Sequence, residues 1–217
     1  MRILWILFCS IFLAVPVLAD YTLAVFGDSL SAGYHLPQKD SFYAQLEGAL
    51  QSKGYAIRVL NASKSGETTA GGLRKIPTLL AQKPDGVILE LGVNDSHKNT
   101  PIATTQNNLK QMIETLQKGQ IPVLLAGMKA FPFTPKSYQN QFEEMYRDLA
   151  STYHLDFYPF FMEGIFDSEH VLNPKMQNDY LLPHDFHPND RGISIMVQGI
   201  LPTVEHFLNN QGLWPKQ

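Results

Sequence analysis

Apolar and polar positions alternate along this chain in blocks of two kinds. Short apolar runs of four to six residues, the mark of strands buried on both faces, are separated by longer stretches with apolar residues three and four apart, the mark of amphipathic helices. Tyr21–Phe26 reads as a first strand ending at Gly27-Asp28-Ser29. Ser41–Ser52 carries Phe42, Leu46, Ala49 and Leu50 at helical spacing and is stopped by Gly54. Tyr55–Leu60 is a second strand, and Asn61–Gly72 a loop of small polar residues that feeds a helix to about Gln82, with Thr68 and Thr69 at its start. Val87–Leu91 is a third strand running into Gly92-Val93-Asn94-Asp95. Ala103–Lys118 is a helix, Ile121–Leu125 a fourth strand, and a loop with Pro132 and Pro135 leads into a helix through Phe142, Met145, Tyr146 and Leu149. Leu155–Tyr158 is a short fifth strand; an irregular segment, Met162–Phe186, precedes a last helix from Pro188 to about Leu208.

Strands alternating with helices predict an α/β fold: a parallel sheet of five strands with helices on both faces. Ligands of such sheets sit beyond the carboxyl ends of the strands. Ser29, Gly66 and Asn94 follow the first, second and third strands and fall in that place.

The N-terminus breaks the pattern. Met1–Arg2 is a short positive start, Ile3–Leu18 an almost unbroken apolar run, and Val17-Leu18-Ala19 a small-residue cleavage pattern. This is the layout of a secretory signal peptide over residues 1–19, followed by one domain over 20–217. The run is short of the ~20 apolar residues a membrane span needs, and Pro16 lies near its end. Cys9 lies mid-run rather than at its exit, which disfavours lipid attachment, and cleavage removes the only cysteine. Export to the periplasm or the medium is expected, with no membrane anchor left.

Composition narrows the function classes. A net charge of −3 over 217 residues offers no basic field for nucleic acid. With 44% hydrophobic and 17% charged residues the chain has the balance of a globular protein. The turn after the first strand lacks the second and third glycines of dinucleotide spacing, and Ser65-Gly66 lacks the trailing Lys-Ser/Thr of a phosphate loop, so no nucleotide or nicotinamide cofactor is expected.

Four segments carry candidate chemistry. Gly27-Asp28-Ser29-Leu30-Ser31-Ala32-Gly33 can present the Ser29 hydroxyl at a helix start, although Asp28 or Ser29 can equally be an ordinary N-cap. Ser65-Gly66 can turn a backbone N–H into a pocket, or be only a turn. The Asn94 amide can donate to a developing oxyanion, or close a strand in an Asn-Asp turn. His187, set extended by Pro188, can serve as general base toward Ser29, or be a surface His at a helix start. His184, Asp185 and His187 are also metal-ligand types, but no companion cluster stands elsewhere, and a metal-dependent hydrolase is the weaker reading. No metal or cofactor is expected. The G-x-S-x-G elbow of α/β-hydrolases is missing, since Ser31 follows Ser29 where Gly is needed.

Taken together, these segments resemble the SGNH, or GDSL, hydrolase family, whose four blocks carry a Ser, a Gly, an Asn and a His, matched in order by Ser29, Gly66, Asn94 and His187. The likeness is nearest to its bacterial thioesterase I / lysophospholipase / arylesterase group, through Gly27–Tyr34, Asn61-Ala62-Ser63, Glu90-Leu91-Gly92 and Pro159-Phe160-Phe161-Met162, and it spans nearly all of Tyr21–Leu208. The resemblance implies a flavodoxin-like three-layer α/β/α sandwich. It implies a serine esterase acting on acyl esters, acyl thioesters and lysophospholipids through an acyl-enzyme, a role in lipid metabolism, and a monomer. A carbohydrate O-deacetylase of the same fold is the alternative.

One position departs from the family, which places its triad acid three residues before the His, where this chain has His184. Asp185, two before His187, faces the same way on an extended segment and is the expected acid. Asp179, His184 or a backbone carbonyl could orient the ring instead, and a catalytically silent binding module that has lost its acid is a further reading. Val93–Pro101 is expected to line one wall of an acyl groove, with Phe131, Phe133 and Tyr138 as apolar contacts or as packing.

Overall fold

A computed structural model describes residues 21–166 and 179–216. The signal segment over 1–19 lies outside them, as does 167–178 within the irregular Met162–Phe186 stretch.

The first strand, β1 (Tyr21–Gly27), runs into a one-turn helix, α1 (Ser29–Ala32), and a short 3₁₀ turn at Gln38–Asp40. Then follow α2 (Phe42–Ser52), β2 (Ile57–Asn61), α3 (Thr69–Ala81), β3 (Gly86–Glu90), a short α4 (Val93–His97) and α5 (Ile102–Lys118). The chain continues through β4 (Val123–Ala126), α6 (Lys136–Thr152), β5 (Asp156–Tyr158) and a long α7 (Asp190–Asn210). The five strands of the described residues pair in parallel in the order β2-β1-β3-β4-β5. α2 packs on α7, and α3 on α5 and α5 on α6, which gives a helical layer on each face of the sheet.

The central strands explain why the sheet forms. β3 and β4 are buried at every position and β1 at all but Thr22, so these apolar runs are satisfied only between two helical layers. The edge strand β2 alternates between buried and exposed positions. Phe42, Phe142, Tyr146, Phe161 and Phe207 fill the spaces between sheet and helices, each fully buried.

The strand order reverses between β1 and β3, the two strands that flank the switch in chain direction. The crevice beyond their carboxyl ends is where such sheets bind ligands. α1 and α4 begin within two or three residues of those strand ends and carry Ser29 and Asn94 respectively. The sequence placed Ser29 at a helix start but gave neither short helix a range, and left Asn94 at a strand end, because helices of four and five residues are too short to show a 3.6-residue period.

Candidate active site

Asp28 caps α1: its Oδ1 accepts the Leu30 N–H at 3.0 Å, which leaves Ser29 at the first helical position. The Ser29 side chain is nearly buried, at 7% exposure. Its Oγ lies 2.8 Å from Nε2 of His187, 158 residues away in the chain.

The segment before α7 folds back on itself to deliver His187. Leu182 N–H donates to the His187 carbonyl, Asn189 N–H donates to the Tyr180 carbonyl, and Leu181 bridges Pro188 antiparallel. Asn189 then caps α7 through Gly192 N–H at 3.0 Å.

Nδ1 of His187 is 2.7 Å from Oδ1 of Asp185. The same oxygen accepts the backbone N–H groups of Phe186 at 2.7 Å and His187 at 3.2 Å. This is an Asx turn: the carboxylate folds forward onto the backbone that follows it. The pairing expected from an extended strand is therefore present, but through a bend and not through a pleat. Partial burial works against the charge of Asp185. The hydrogen bonds from the His187 ring and backbone, together with its charge, outweigh that and hold the carboxyl below its ordinary value. The other groups weighed for this place stand elsewhere. His184 takes a left-handed backbone (φ 59°) in the turn closed by Asp185 N–H on the Leu182 carbonyl, and Asp179 is tied through its carbonyl to Asn189 Nδ2.

Both nitrogens of His187 are engaged, which leaves it no free lone pair for a metal. Among the described residues no group of three or more His, Cys, Asp or Glu is arranged to hold one.

Gly66 occupies the Ser65-Gly66 turn after β2, with φ 76°, and a Cβ there would meet open space. Its backbone angle, not crowding, calls for glycine. The turn is anchored by Lys64 N–H on the Gly27 carbonyl and Glu67 N–H on the Lys64 carbonyl.

Asn94 behaves differently from the free donor expected. Its Nδ2 donates to the Glu67 carbonyl at 2.9 Å and to Asp28 Oδ2 at 3.2 Å, so one amide ties the loop after β2 to the residue before Ser29. The next residue, Asp95, accepts Thr69 N–H at 2.8 Å and Thr69 Oγ1–H at 2.6 Å, joining α4 to the start of α3.

Beneath this surface lies a buried carboxyl pair that the sequence reading passed over. Glu90 Oε2 accepts Asp28 N–H at 3.2 Å and lies 2.9 Å from Ser31 Oγ, while Oε1 has no partner among the described residues. Burial, then the neighbouring Asp28, raises the Glu90 pKa well above the ordinary carboxylate range. Burial likewise lifts Asp28 to about 7 against the lowering effect of its hydrogen bonds. The signal was available: Glu90 closes a strand that is otherwise wholly apolar, where a charge is rarely tolerated without a role.

An apolar pocket of about 160 Å³ lies beside the site, lined by Val93, Met128, Phe131, Phe160, Met162 and Phe186 among others. Val93 adjoins Asn94 and Phe186 adjoins His187, so the pocket lies next to both. Of the groove residues expected from sequence, Val93 and Phe131 line it. Phe133 is 64% exposed and stacks on Phe131, while Tyr138 donates to the Thr100 carbonyl and packs on Phe142 away from the cavity.

Comparison with known proteins gives a consistent picture. The profile of the GDSL-like lipase/acylhydrolase family matches residues 25–194. Esterase TesA of Pseudomonas aeruginosa is 38% identical over 191 residues, 88% of this chain and 90% of its own length. The thioesterase 1/protease 1/lysophospholipase L1 of Escherichia coli K12 is 34% identical over 165 residues, 75% and 76% of the two chains. Among solved structures, the psychrotrophic esterase EstA of a Pseudoalteromonas species, inhibited by monoethylphosphonate, superposes with a TM-score of 0.79 at 27% identity over 88% of this chain and 100% of that one.

Proposed function

The chain belongs to the GDSL-like lipase/acylhydrolase family and hydrolyses ester and thioester bonds, and from that premise we propose that Ser29, His187 and Asp185 carry the reaction. One observation bears most of the weight: a continuous hydrogen-bonded line from Ser29 Oγ through both His187 nitrogens to Asp185, with distances of 2.8 and 2.7 Å. His187 takes the Ser29 proton as Oγ attacks the acyl carbon, and returns it to the departing alcohol or thiol, leaving an acyl-enzyme. Water, deprotonated by His187, then attacks the acyl carbon; the proton returns to Ser29 and the carboxylic acid leaves. Asp185 orients the ring and balances the charge that forms on it.

The oxyanion is held by the backbone N–H groups of Ser29 and Gly66 and by the Asn94 amide. The first-turn N–H of a helix has no intrahelical partner, which suits Ser29 to this. Asn94 reaches the oxyanion by releasing its longer bond, the 3.2 Å contact to Asp28.

The substrates we assign are acyl esters, acyl thioesters and lysophospholipids whose acyl chain enters the apolar cavity; the printed activities of the two relatives support this. An acetyl group alone would leave most of that cavity unused, which disfavours the carbohydrate deacetylase. The silent-module reading rested on a missing acid, and the contact between Asp185 and His187 speaks against it. Metal and cofactor have no assigned part. The monomer that the resemblance implies is consistent with a site whose Ser29, His187 and Asp185 all come from one chain.

We also assign export, with residues 1–19 removed. Strand β1 begins at Tyr21, so cleavage after Ala19 leaves it whole, and no helix among the described residues is long and apolar enough to cross a membrane. Intact mass of the protein recovered from the cell envelope or medium should give a chain starting at Asp20.

Turnover of p-nitrophenyl esters from acetate to palmitate by the mature protein, beside Ser29→Ala and with chelator present, tests the chemistry. Chelator-resistant activity that is absent in a folded Ser29→Ala variant is expected. Activity near wild type in that variant would overturn the assignment.

A further inference from the structure

Asp185 and His187 sit on one short loop, and the Asx turn binds the carboxylate to the backbone of its own partner. Acid and base are thus fixed to each other, but nothing in that turn fixes the pair over Ser29. The connection comes from the other side of the site. Gly33 takes a left-handed backbone (φ 81°) at the end of α1, and its N–H donates to the Ser29 carbonyl. The following N–H, that of Tyr34, donates to the same carbonyl at 3.3 Å. The reversal brings the Tyr34 ring onto the His187 imidazole, with centroids 4.2 Å apart and planes at 33°. The His35 ring meets Tyr34 edge-on at 4.0 Å, with His35 itself in a left-handed conformation (φ 56°).

Phe186 stacks on the same imidazole, at 4.3 Å and 27°. Two six-membered rings at such distances and tilts cannot share one face of a five-membered ring, so Tyr34 and Phe186 cover opposite faces. We propose that the two rings clamp the His187 imidazole, and that Tyr34 is the positioning residue that registers the base over the Ser29 turn. The proposal rests on the reading of His187 as the general base. The clamp has an electrostatic side as well: imidazole becomes positively charged as the tetrahedral intermediate forms, and the π faces on either side of it attract that charge. Phe186 has a second contact, edge-on to Phe131 at 5.3 Å, so one ring serves both the clamp and the cavity wall.

Tyr34→Leu and Tyr34→Phe separate the ring from its hydroxyl. With p-nitrophenyl acetate as substrate, Tyr34→Leu is expected to lower kcat roughly tenfold, equivalent to about 1.4 kcal/mol of barrier, with KM within about twofold. Tyr34→Phe keeps the ring and should stay within about twofold of wild type in both constants. Phe186→Leu, at a residue 37% exposed whose loss the fold tolerates better, should lower kcat on the acetate ester to a similar extent. A Tyr34→Leu enzyme with wild-type kcat would overturn the clamp. So would a rise in KM alone, or a Tyr34→Phe variant as impaired as Tyr34→Leu. If Tyr34→Leu does not fold, Phe186→Leu with unchanged kcat overturns it instead. Ser29→Ala run alongside keeps the two readings apart: an active Ser29→Ala variant defeats the reading of the site, whereas an inactive one beside an unaffected Tyr34→Leu defeats only the clamp.

Discussion

Asp185 Oδ1 binds the ring of His187 and the backbone of His187 at once, at 2.7 and 3.2 Å, with only Phe186 between them in the chain. The acid is thereby delivered by a local turn and does not depend on a distant element, and its side chain stays 29% exposed. Asp185→Asn should therefore lower kcat by roughly a hundredfold, less than the ~10⁴ that losing a fully buried triad aspartate can cost, because water can replace part of its effect on the imidazolium. His184→Ala, at the place the family gives its acid, should change kcat by less than about twofold. Steady-state kinetics of the two variants check this; a His184→Ala loss equal to that of Asp185→Asn would show that the pair has been misassigned.

Asn94 joins three pieces of the site through one nitrogen, the Glu67 carbonyl and the Asp28 carboxyl included. Asn94→Ala removes one proposed oxyanion donor and should lower kcat by about 10²–10³. Because the amide also braces the turn after β2, the thermal midpoint should fall as well. Gly66→Ala tests the other donor. At φ 76° an alanine costs about 1–2 kcal/mol of backbone strain, so the variant should be measurably less stable and less active. Calorimetry beside single-turnover kinetics separates the two effects. Full activity in Asn94→Ala would remove it from the oxyanion site.

The parts of this arrangement that were legible in the sequence are those written in periods and punctuation. β1, β3 and β4 stand out because both their faces are buried, which turns them into unbroken apolar runs. The ends of β2 and β4 were placed up to two residues early. Tyr55 and Ala56 are buried ahead of β2 without pairing in it, and Pro122, which has no N–H to give, precedes β4. Ser29, Gly66, Asn94 and His187 were singled out through their places after strands and before a helix, together with the four-block resemblance they share. Asp185 was named for a pleat that does not exist, since a side chain closing on its own backbone leaves no mark in a hydrophobic pattern. Tyr34, Phe186 and most of the cavity wall were out of reach for a plainer reason: aromatic residues in loops look alike until the fold shows what they touch.

The buried pair beneath Ser29 makes stability depend on pH in a definite direction. Asp28 and Glu90 ionise more easily unfolded, near 3.8 and 4.5, than folded, where both are raised. Between those values and about pH 7 the folded state holds more protons than the unfolded one, so stability falls as pH rises across that window. Asp185 has the opposite sign, but its lowered pKa acts only as pH drops below the ordinary carboxylate range. Glu90→Gln keeps the shape and one proton-independent partner for Asp28 N–H. It should flatten the decline in thermal midpoint between pH 5 and 7. A wild-type midpoint that climbs with pH over that range, or an equal slope in Glu90→Gln, would contradict the account.

Acyl-chain preference follows from the wall between Val93 and Phe186. Val93 adjoins Asn94 and Phe186 adjoins His187, and the pocket behind them is lined chiefly by the apolar side chains of Met128, Phe131, Phe160 and Met162, with Lys129 also in its wall. A chain of several methylenes leaves water for this surface and gains ~0.8 kcal/mol for each one buried, a term that an acetyl group cannot collect. Part of that gain is realised as binding and appears in KM. Met162→Trp, which places bulk in the cavity two residues past the buried Phe160, should raise KM for octanoyl and longer p-nitrophenyl esters by at least tenfold while leaving the acetate ester within about twofold. Phe160→Ala works in the other direction, since the enlarged cavity should move the optimum to longer chains at some loss of stability. The chain-length profile of the three proteins decides the matter. Parallel profiles for wild type and Met162→Trp would mean that the acyl chain lies elsewhere.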